Sequence, residues 1–89
     1  MVSTSQIRAA KKFGPGYFIR EEMDLRDWTK EDLADEMDIK TKLLNAILRE
    51  RQPLTIEVSR LLGGIFNTSP QYWLNIDSGY RLWKEQDKS

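Results

Sequence analysis

Four polar side chains near the middle of the chain have the types and the spacing that suit a DNA groove. They are Thr41, Lys42, Asn45 and Arg49, and a helix would place them on one side. In the major groove, asparagine pairs most naturally with adenine and lysine with guanine. Ala46, on the same side, is small enough for close approach to the groove. We therefore expect residues 41–49 to carry a base-reading surface.

Leu43 interrupts this polar surface, and two interpretations of it stay open. In the first, its methyl groups contact the methyl group of a thymine in the major groove. In the second, it is an ordinary exposed leucine, of which folded proteins have many. Both interpretations place Leu43 on the outward side of its helix.

Phosphate contacts are expected at the start of the preceding helix. Thr29 lies there, and the unpaired backbone N–H groups of a first helical turn attract anions. The cations expected to assist are Lys30, Lys40, Arg49 and Arg51. A merely solvated charged surface is the alternative interpretation of these four residues. Asp32, Asp35 and Glu36 would repel phosphate, so we expect them to point away from the DNA.

Two short amphipathic helices must position this surface. Thr29, with Asp32 three positions later, has the spacing of a capping box at the start of the first helix. The apolar residues of the second are Ile39, Leu44, Ile47 and Leu48, which recur at helical spacing. Neither helix is long enough to bury its apolar side alone. We therefore expect the two to pack in the fixed crossing of a helix-turn-helix.

The rest of the chain is predicted to be helical as well, which gives an all-α fold. The five predicted helices run from Pro15 to about Leu25 and over Thr29–Met37, Thr41–Leu48, Ile56–Phe66 and Pro70 to about Glu85. Thr55 and Ser69 are the expected N-caps of the last two. Gly63-Gly64 within the fourth helix indicates either close approach of another helix or a weak point. Residues 1–13 are expected to form an arm, residues 14–85 one domain, and residues 86–89 a tail.

Composition excludes several classes of function. The 89 residues include no cysteine and no histidine, so the usual general base and the commonest metal ligands are missing. We expect no enzymatic activity, no cofactor and no metal. The longest apolar window, Leu61–Phe66, is far too short to span a bilayer, and the first twelve residues lack the apolar core of a signal peptide. These features predict a cytoplasmic protein.

The net charge of zero conceals a strong separation of charge. Residues 21–38 hold nine acidic against two basic residues, a net −7, whereas residues 40–60 hold five basic against two acidic, a net +3. The acidic segment is interpreted as a solvated face, as a docking surface for a basic partner, or as a weak divalent-metal site around Asp35 and Asp38. The residues assigned to the docking surface are Glu21, Glu22, Asp24, Asp35 and Glu36.

The last predicted helix carries an apolar seam made of Trp73, Ile76, Tyr80 and Trp83, at steps of three, four and three residues. Packing in the core is one interpretation, and Trp73 is expected to belong to the core. However, little chain remains to cover the end of this helix, so part of the seam is expected to stay exposed. Because DNA half-sites are commonly read by symmetric dimers, we assign the seam to a dimer interface.

Three segments together resemble a known family. They are GPG at 14–16, WTKEDLADEMDIKTKLLNAILRERQPLT at 28–55 and FNTSPQYWLNIDSGYRLW at 66–83. In this order they are similar to the HigA-type antitoxins of the XRE, or lambda-repressor-like, helix-turn-helix superfamily. The stretch from Thr68 to Asn75 is the most specific part of the resemblance.

The resemblance implies a five-helix lambda-repressor-like domain and two activities. Such proteins bind and neutralise a small ribonuclease toxin of the RelE or HigB kind, and they repress their own operon by binding its operator DNA. This chain has Asp38 in place of the usual turn glycine, Lys40 in place of a capping serine or threonine, and Arg49-Glu50 in place of Asn-Gly. These departures, with the zero net charge, favour the alternative of an interaction-only antitoxin, an adaptor or a phage-type regulator.

Overall fold

The computed structural model describes residues 12–87, with side chains through residue 86. Within that range the chain forms five α-helices, numbered here in chain order. They are α1 (Pro15–Arg26), α2 (Lys30–Met37), α3 (Thr41–Leu48), α4 (Ile56–Phe66) and α5 (Pro70–Asp87). The predicted all-α fold is confirmed, with helix ends that differ from the predictions by at most two residues. The predicted arm at 1–13 and tail at 86–89 lie for the most part outside the described residues.

Three helices begin at the caps that the sequence predicts. Thr29 Oγ1 accepts from the Asp32 N–H at 3.1 Å, and Asp32 Oδ2 accepts from the Thr29 N–H at 2.9 Å, which completes the capping box of α2. Thr55 caps α4 by accepting from the Val58 N–H at 3.1 Å. Ser69 caps α5 in the same way, with the Tyr72 N–H as donor. Local hydrogen bonds therefore fix where these helices start.

Left-handed residues end three of the helices. Asp27, Asp38 and Asn67 have φ of 58°, 55° and 59°, and they follow α1, α2 and α4. Asparagine and aspartate tolerate this conformation better than most residues with a side chain. The turn between α2 and α3 is therefore only three residues long, from Asp38 to Lys40. Such a short turn holds the two helices at a fixed angle.

The core forms where the five helices meet. Its fully buried side chains include Ile19 of α1, Leu33 of α2, Leu44 of α3, Leu62 of α4 and Trp73 of α5. The α4–α5 pair shares the most extensive interface, whereas α3 packs on both α1 and α2. Because α3 is held from two sides, its remaining side faces solvent. No helix within residues 12–87 is long and apolar enough to cross a membrane.

Candidate nucleic-acid interface

The solvent side of α3 carries a shallow depression. Its lining residues are Lys42, Asn45, Ala46, Arg49 and Arg51, and its volume is about 240 Å³. Lys42, Arg49 and Arg51 are exposed, whereas Asn45 and Ala46 are half-buried. The structure therefore brings five of the predicted DNA-contacting residues together around one concave surface. Thr41, at the start of the same helix, is half-buried.

The apolar side of α3 sets this orientation. Leu44, Ile47 and Leu48 are at most 2% exposed, and their burial turns the polar positions outward. Each such side chain contributes roughly 1.5–3 kcal/mol by leaving water. The end of the helix is held further by Arg20 of α1, whose Nη2 donates to the Leu48 carbonyl oxygen at 2.8 Å. A rigid surface, rather than a mobile loop, thus presents Lys42 and Asn45.

Leu43 does not lie where the sequence analysis placed it. Its side chain is half-buried and packs against the core, so the expected outward orientation is wrong. The reason is that α3 packs on two helices, which makes its buried side wider than a single apolar stripe. Leu43 precedes Ile47 by four residues and so extends the same buried edge. A contact between Leu43 and a thymine methyl group loses its basis.

Asn45 has an unmet hydrogen-bonding requirement. Its Oδ1 atom is buried and accepts no hydrogen bond from residues 12–87. A buried acceptor without a donor costs about 1–3 kcal/mol. Rotation of the side-chain amide toward the depression would let this oxygen meet a donor on a ligand. Among the side chains of this surface, Asn45 therefore has the most to gain from a bound hydrogen-bond donor.

The start of α2 is less open to a phosphate group than the sequence predicts. Thr29 and Lys30 are exposed, as a phosphate contact requires. However, the Asp32 carboxylate accepts from the Thr29 N–H at 2.9 Å and thus lies at the helix start. The expectation that Asp32 points away is wrong, because its reciprocal capping bond draws it toward the N-terminus. Part of the expected anion position is therefore occupied by the chain's own carboxylate.

A second depression, of about 280 Å³, lies next to this helix start. It is lined by Arg20, Met23, Asp24, Trp28, Lys30 and Leu48. Arg20 was not among the predicted site residues, because it belongs to α1 and lies far from α3 in the sequence. Its hydrogen bond to Leu48 becomes visible only when the helices are placed together.

Glu50 was also not among the predicted site residues. This residue follows α3 directly, is half-buried, and accepts a hydrogen bond from the Gly16 N–H at 2.5 Å. Burial raises the pKa of the Glu50 carboxyl above its ordinary value, while the Gly16 N–H and Arg81 act in the opposite direction. The available signal was the replacement of the family's turn glycine by Glu50. A glutamate in place of a turn glycine indicates that its side chain has a role, but it does not identify Gly16 as the partner.

The structure brings together part of the predicted acidic surface. Glu21, Glu22, Asp24 and Leu25 line a depression of about 390 Å³ on α1. Glu22 is paired there with Arg26 at 2.9 Å. The predicted Asp35 and Glu36 are exposed on α2 and do not line this depression. Among the described residues, no group of three or more acidic side chains is arranged to hold a metal ion.

One member of the predicted seam, Trp73, lies in the core and not on the surface. Trp73 is 1% exposed, packs its ring 5.9 Å from that of Phe66, and donates its Nε1–H to Thr68 Oγ1 at 2.7 Å. The expected core position of Trp73 is therefore confirmed and its place in the dimer interface is wrong, because α4 and the turn before α5 already cover it. Tyr80 and Trp83 are half-buried, and their rings stack at 6.1 Å.

Ile76, the remaining seam residue, is half-buried and packs against the core. Leu82 was not predicted to belong to the seam, yet its side chain is 54% exposed on the same helix. The late part of α5 thus keeps apolar surface in contact with solvent.

Comparisons with known proteins agree on one family. A family model described as helix-turn-helix matches residues 19–73. An uncharacterized HTH-type transcriptional regulator of Haemophilus influenzae is 31% identical over 52 residues. That alignment covers 58% of this chain and 49% of the relative, so the chain spans about half the relative's length.

Two solved structures extend the likeness over most of the chain. An addiction module antidote protein of the HigA family from Coxiella burnetii superimposes with a TM-score of 0.81 at 29% identity, covering 88% of this chain and 86% of that one. The antitoxin HigA of Pseudomonas aeruginosa, solved with the higBA promoter, gives 0.79 at 28% identity, with 86% and 85% covered. These relatives are a transcriptional regulator and two antitoxins. The chain belongs to the helix-turn-helix family, and its fold is that of the HigA-type antitoxins.

Proposed function

We propose that this protein is an antitoxin that binds the operator of its own operon through α3 and neutralises a ribonuclease toxin by direct contact. The observation that carries the proposal is the depression on α3, where Lys42 and Asn45 lie beside Arg49 and Arg51. The same fold is present in a HigA antitoxin that was solved with its promoter. The geometry of the α3 depression and the likeness to this antitoxin therefore both support operator binding.

In the proposed complex, α3 lies in the major groove and its outward side chains read base edges. Lys42 donates to guanine, and Asn45 pairs with adenine, whose N6 amino group supplies the donor that Asn45 Oδ1 lacks. Ala46 allows close approach. Thr41 is assigned to a base edge, and the residues that we assign to phosphate contacts are Thr29, Lys30, Lys40, Arg49 and Arg51. These contacts fix the register of the helix on the DNA but carry no sequence information.

We assign toxin binding to the acidic depression on α1. Glu21, Glu22 and Asp24 concentrate negative charge beside the 79% exposed side chain of Leu25. A basic protein with an apolar contact suits such a surface, since charge complementarity speeds association and an apolar contact adds affinity. Asp35 and Glu36 of α2 would extend the negative field toward the partner.

A homodimer is the proposed DNA-binding form. Tyr80 and Trp83 supply a half-exposed aromatic pair near the end of α5, with Ile76 and Leu82 beside them. Two-fold symmetry would present two copies of α3 to the two halves of an operator. The exposed apolar surface of α5 supports this arrangement.

The alternative is an antitoxin that binds its toxin but not DNA. Two observations favour it: Asp32 sits at the expected phosphate position, and α3 has no side-chain N-cap. The two functions differ in what they require of the α3 surface. Only operator binding needs Lys42 and Asn45.

The test is a binding titration with DNA from upstream of the operon. Lys42→Ala and Asn45→Ala are each expected to weaken the specific complex by about 1–3 kcal/mol, because each removes contacts to a base edge. Neither change should weaken binding to a scrambled duplex as much. Arg60→Ala removes an exposed cation of α4 outside the depression and serves as the control. Unchanged specific affinity in both α3 variants would favour the interaction-only antitoxin.

A further inference from the structure

Helix α1 lacks the local cap that α2, α4 and α5 each have. Gly14 occupies its N-cap position and has no side chain to accept a hydrogen bond. The acceptor comes instead from Glu50, whose Oε1 accepts from the Gly16 N–H across 34 residues of sequence. The first turn of α1 is thus completed by the turn that follows α3. A carboxylate is well suited to this position, because the start of a helix carries partial positive charge.

Glu50 adopts a backbone conformation that its residue type disfavours. Its φ is 60°, in the left-handed region where glycine is the usual residue. Its own N–H donates to the Ile47 carbonyl oxygen at 3.1 Å, which closes the turn after α3. A glycine would make this turn with less strain but would leave α1 uncapped. The presence of glutamate therefore indicates a role for the side chain.

The surroundings of the Glu50 carboxylate are shaped to admit it. A Cβ atom on Gly14 would lie 2.6 Å from Glu50 Oε2, and one on Gly16 would lie 2.7 Å from Oε1. A Cβ atom on Gly16 would also overlap the Leu48 carbonyl oxygen. The two glycines and Glu50 therefore fit each other, and larger residues at 14 or 16 would expel the carboxylate.

Charged groups of two other helices face the same carboxylate. Arg20 of α1 and Arg81 of α5 favour its ionised form, and Asp77 of α5 opposes it. Arg81 Nε donates to Asp77 Oδ1 at 3.1 Å, and Asp77 Oδ2 accepts from the Leu54 N–H at 3.2 Å. The segment from Glu50 to Leu54 is thus tied at its start to α1 and at its end to α5.

We propose that Glu50 is a positioning residue for DNA binding, which fixes Arg49 and Arg51 on the rim of the α3 depression. It stands between these two arginines in the sequence, and its side chain points to α1 while theirs line the depression. This inference rests on the proposed function, since it takes the depression as the DNA-contacting surface. Without the Glu50 contact, the turn would lose its attachment to α1, and both cations would lose their fixed place.

The test compares three variants in promoter binding across a series of salt concentrations. Glu50→Ala removes the acceptor, Glu50→Gln keeps an acceptor oxygen without the charge, and Glu50→Gly also removes the acceptor while suiting the left-handed turn. Each change deletes a negative charge near DNA, which by electrostatics alone would tighten binding. We expect the Ala and Gly variants to bind more weakly than the wild type, and the Gln variant to bind at least as tightly.

The salt dependence separates positioning from general stability. The loss of one or two phosphate contacts by Arg49 and Arg51 reduces the slope of log affinity against log salt by about 1 to 2. The Ala and Gly variants should show this smaller slope, and the Gln variant should keep the wild-type slope. A matched control is Asp38→Gly, which relieves another left-handed residue at the opposite end of α3 and should leave the slope unchanged. Equal slopes in the wild type and the three Glu50 variants would overturn the proposal.

Hydrogen exchange of the Gly16 amide measures its hydrogen bond to Glu50 in the absence of DNA. We expect faster exchange in Glu50→Ala and Glu50→Gly than in the wild type, with Glu50→Gln close to the wild type. Equal exchange in all of them would overturn the proposal at its structural step. A wild-type chain that binds no promoter DNA would instead overturn the proposed function, whatever the exchange shows.

Discussion

Gly63 and Gly64 are neighbours on α4 with opposite surroundings. Gly63 is buried beneath the turn into α5, so that a Cβ atom there would lie 2.6 Å from the Thr68 carbonyl oxygen. A Cβ atom on Gly64 would meet nothing within 4 Å. The close approach expected from the sequence therefore exists at one glycine only, where the turn into α5 and the first residue of that helix, Pro70, make it. Gly63 is therefore required by the space available to it, whereas Gly64 is not.

Alanine substitutions should separate the two glycines. Gly63→Ala is expected to lower the free energy of unfolding by about 1–3 kcal/mol, because the backbone of the α4–α5 turn must move away. Gly64→Ala should raise it by about 0.5–1 kcal/mol, because alanine loses less conformational freedom in a helix and meets no obstacle. Urea unfolding of both variants measures the difference. Changes of the same sign would contradict the assigned surroundings.

At the scale of the element, α3 depends on its packing. It has only eight residues, and Lys40 at its N-cap makes no side-chain capping bond. A helix of this length is not stable alone in water. Its three buried residues and the Arg20 hydrogen bond to Leu48 therefore hold it in place. The same packing keeps Lys42 and Asn45 on the solvent side.

An added cap should stabilise this element. Lys40 has φ −74° and ψ 145°, which is the extended backbone that capping residues adopt. Lys40→Ser would supply an acceptor for the first turn and is expected to raise the free energy of unfolding by about 0.5–1 kcal/mol. Thr55→Ala, which removes the existing cap of α4, should lower it by a similar amount. Thermal unfolding without DNA is the measurement, and an unstabilised Lys40→Ser variant would show that the first turn of α3 needs no further acceptor.

At the scale of the whole molecule, charge is divided between surfaces. Glu21, Glu22 and Asp24 line one depression, whereas Lys42, Arg49 and Arg51 line another. The net charge of zero hides this division. A molecule of this kind suits two partners of opposite charge, each drawn to its own surface.

The acidic depression predicts a salt-dependent encounter with the toxin. Charge steering is screened by ions, so the association rate constant should fall as salt rises. Glu21→Gln with Asp24→Gln should reduce both the rate and its salt dependence, while Glu57→Gln of α4 serves as a control with the same type of change. Stopped-flow mixing measures the rates. An association rate that is indifferent to salt would remove this surface from the proposal.

The end of α5 predicts the oligomeric state. Tyr80→Asp combined with Trp83→Asp should give monomers in sedimentation, because two carboxylates replace the aromatic surface that the proposed dimer buries. Leu25→Asp changes a side chain on α1 that is 79% exposed, and it should leave the dimer intact. Dimers that persist in the double variant would place the interface on another surface.

The sequence alone determined the five helices and the caps of α2, α4 and α5. Thr29, Thr55 and Ser69 were identified correctly because each acts on backbone groups within a few positions of itself. Such interactions depend on local geometry and residue type, both of which can be read from the sequence. The polar positions of α3 followed from its apolar spacing for the same reason.

Only the tertiary structure decided which side chains the neighbouring helices cover. Leu43 was misplaced, and Trp73 was assigned both to the core and to the dimer seam, because the burial of each depends on how many helices pack against it. The contact between Glu50 and Gly16 joins residues 34 positions apart, and no local pattern indicates it. Contacts of this kind depend on the angles at which helices cross, and these angles are set by the packing of the whole core.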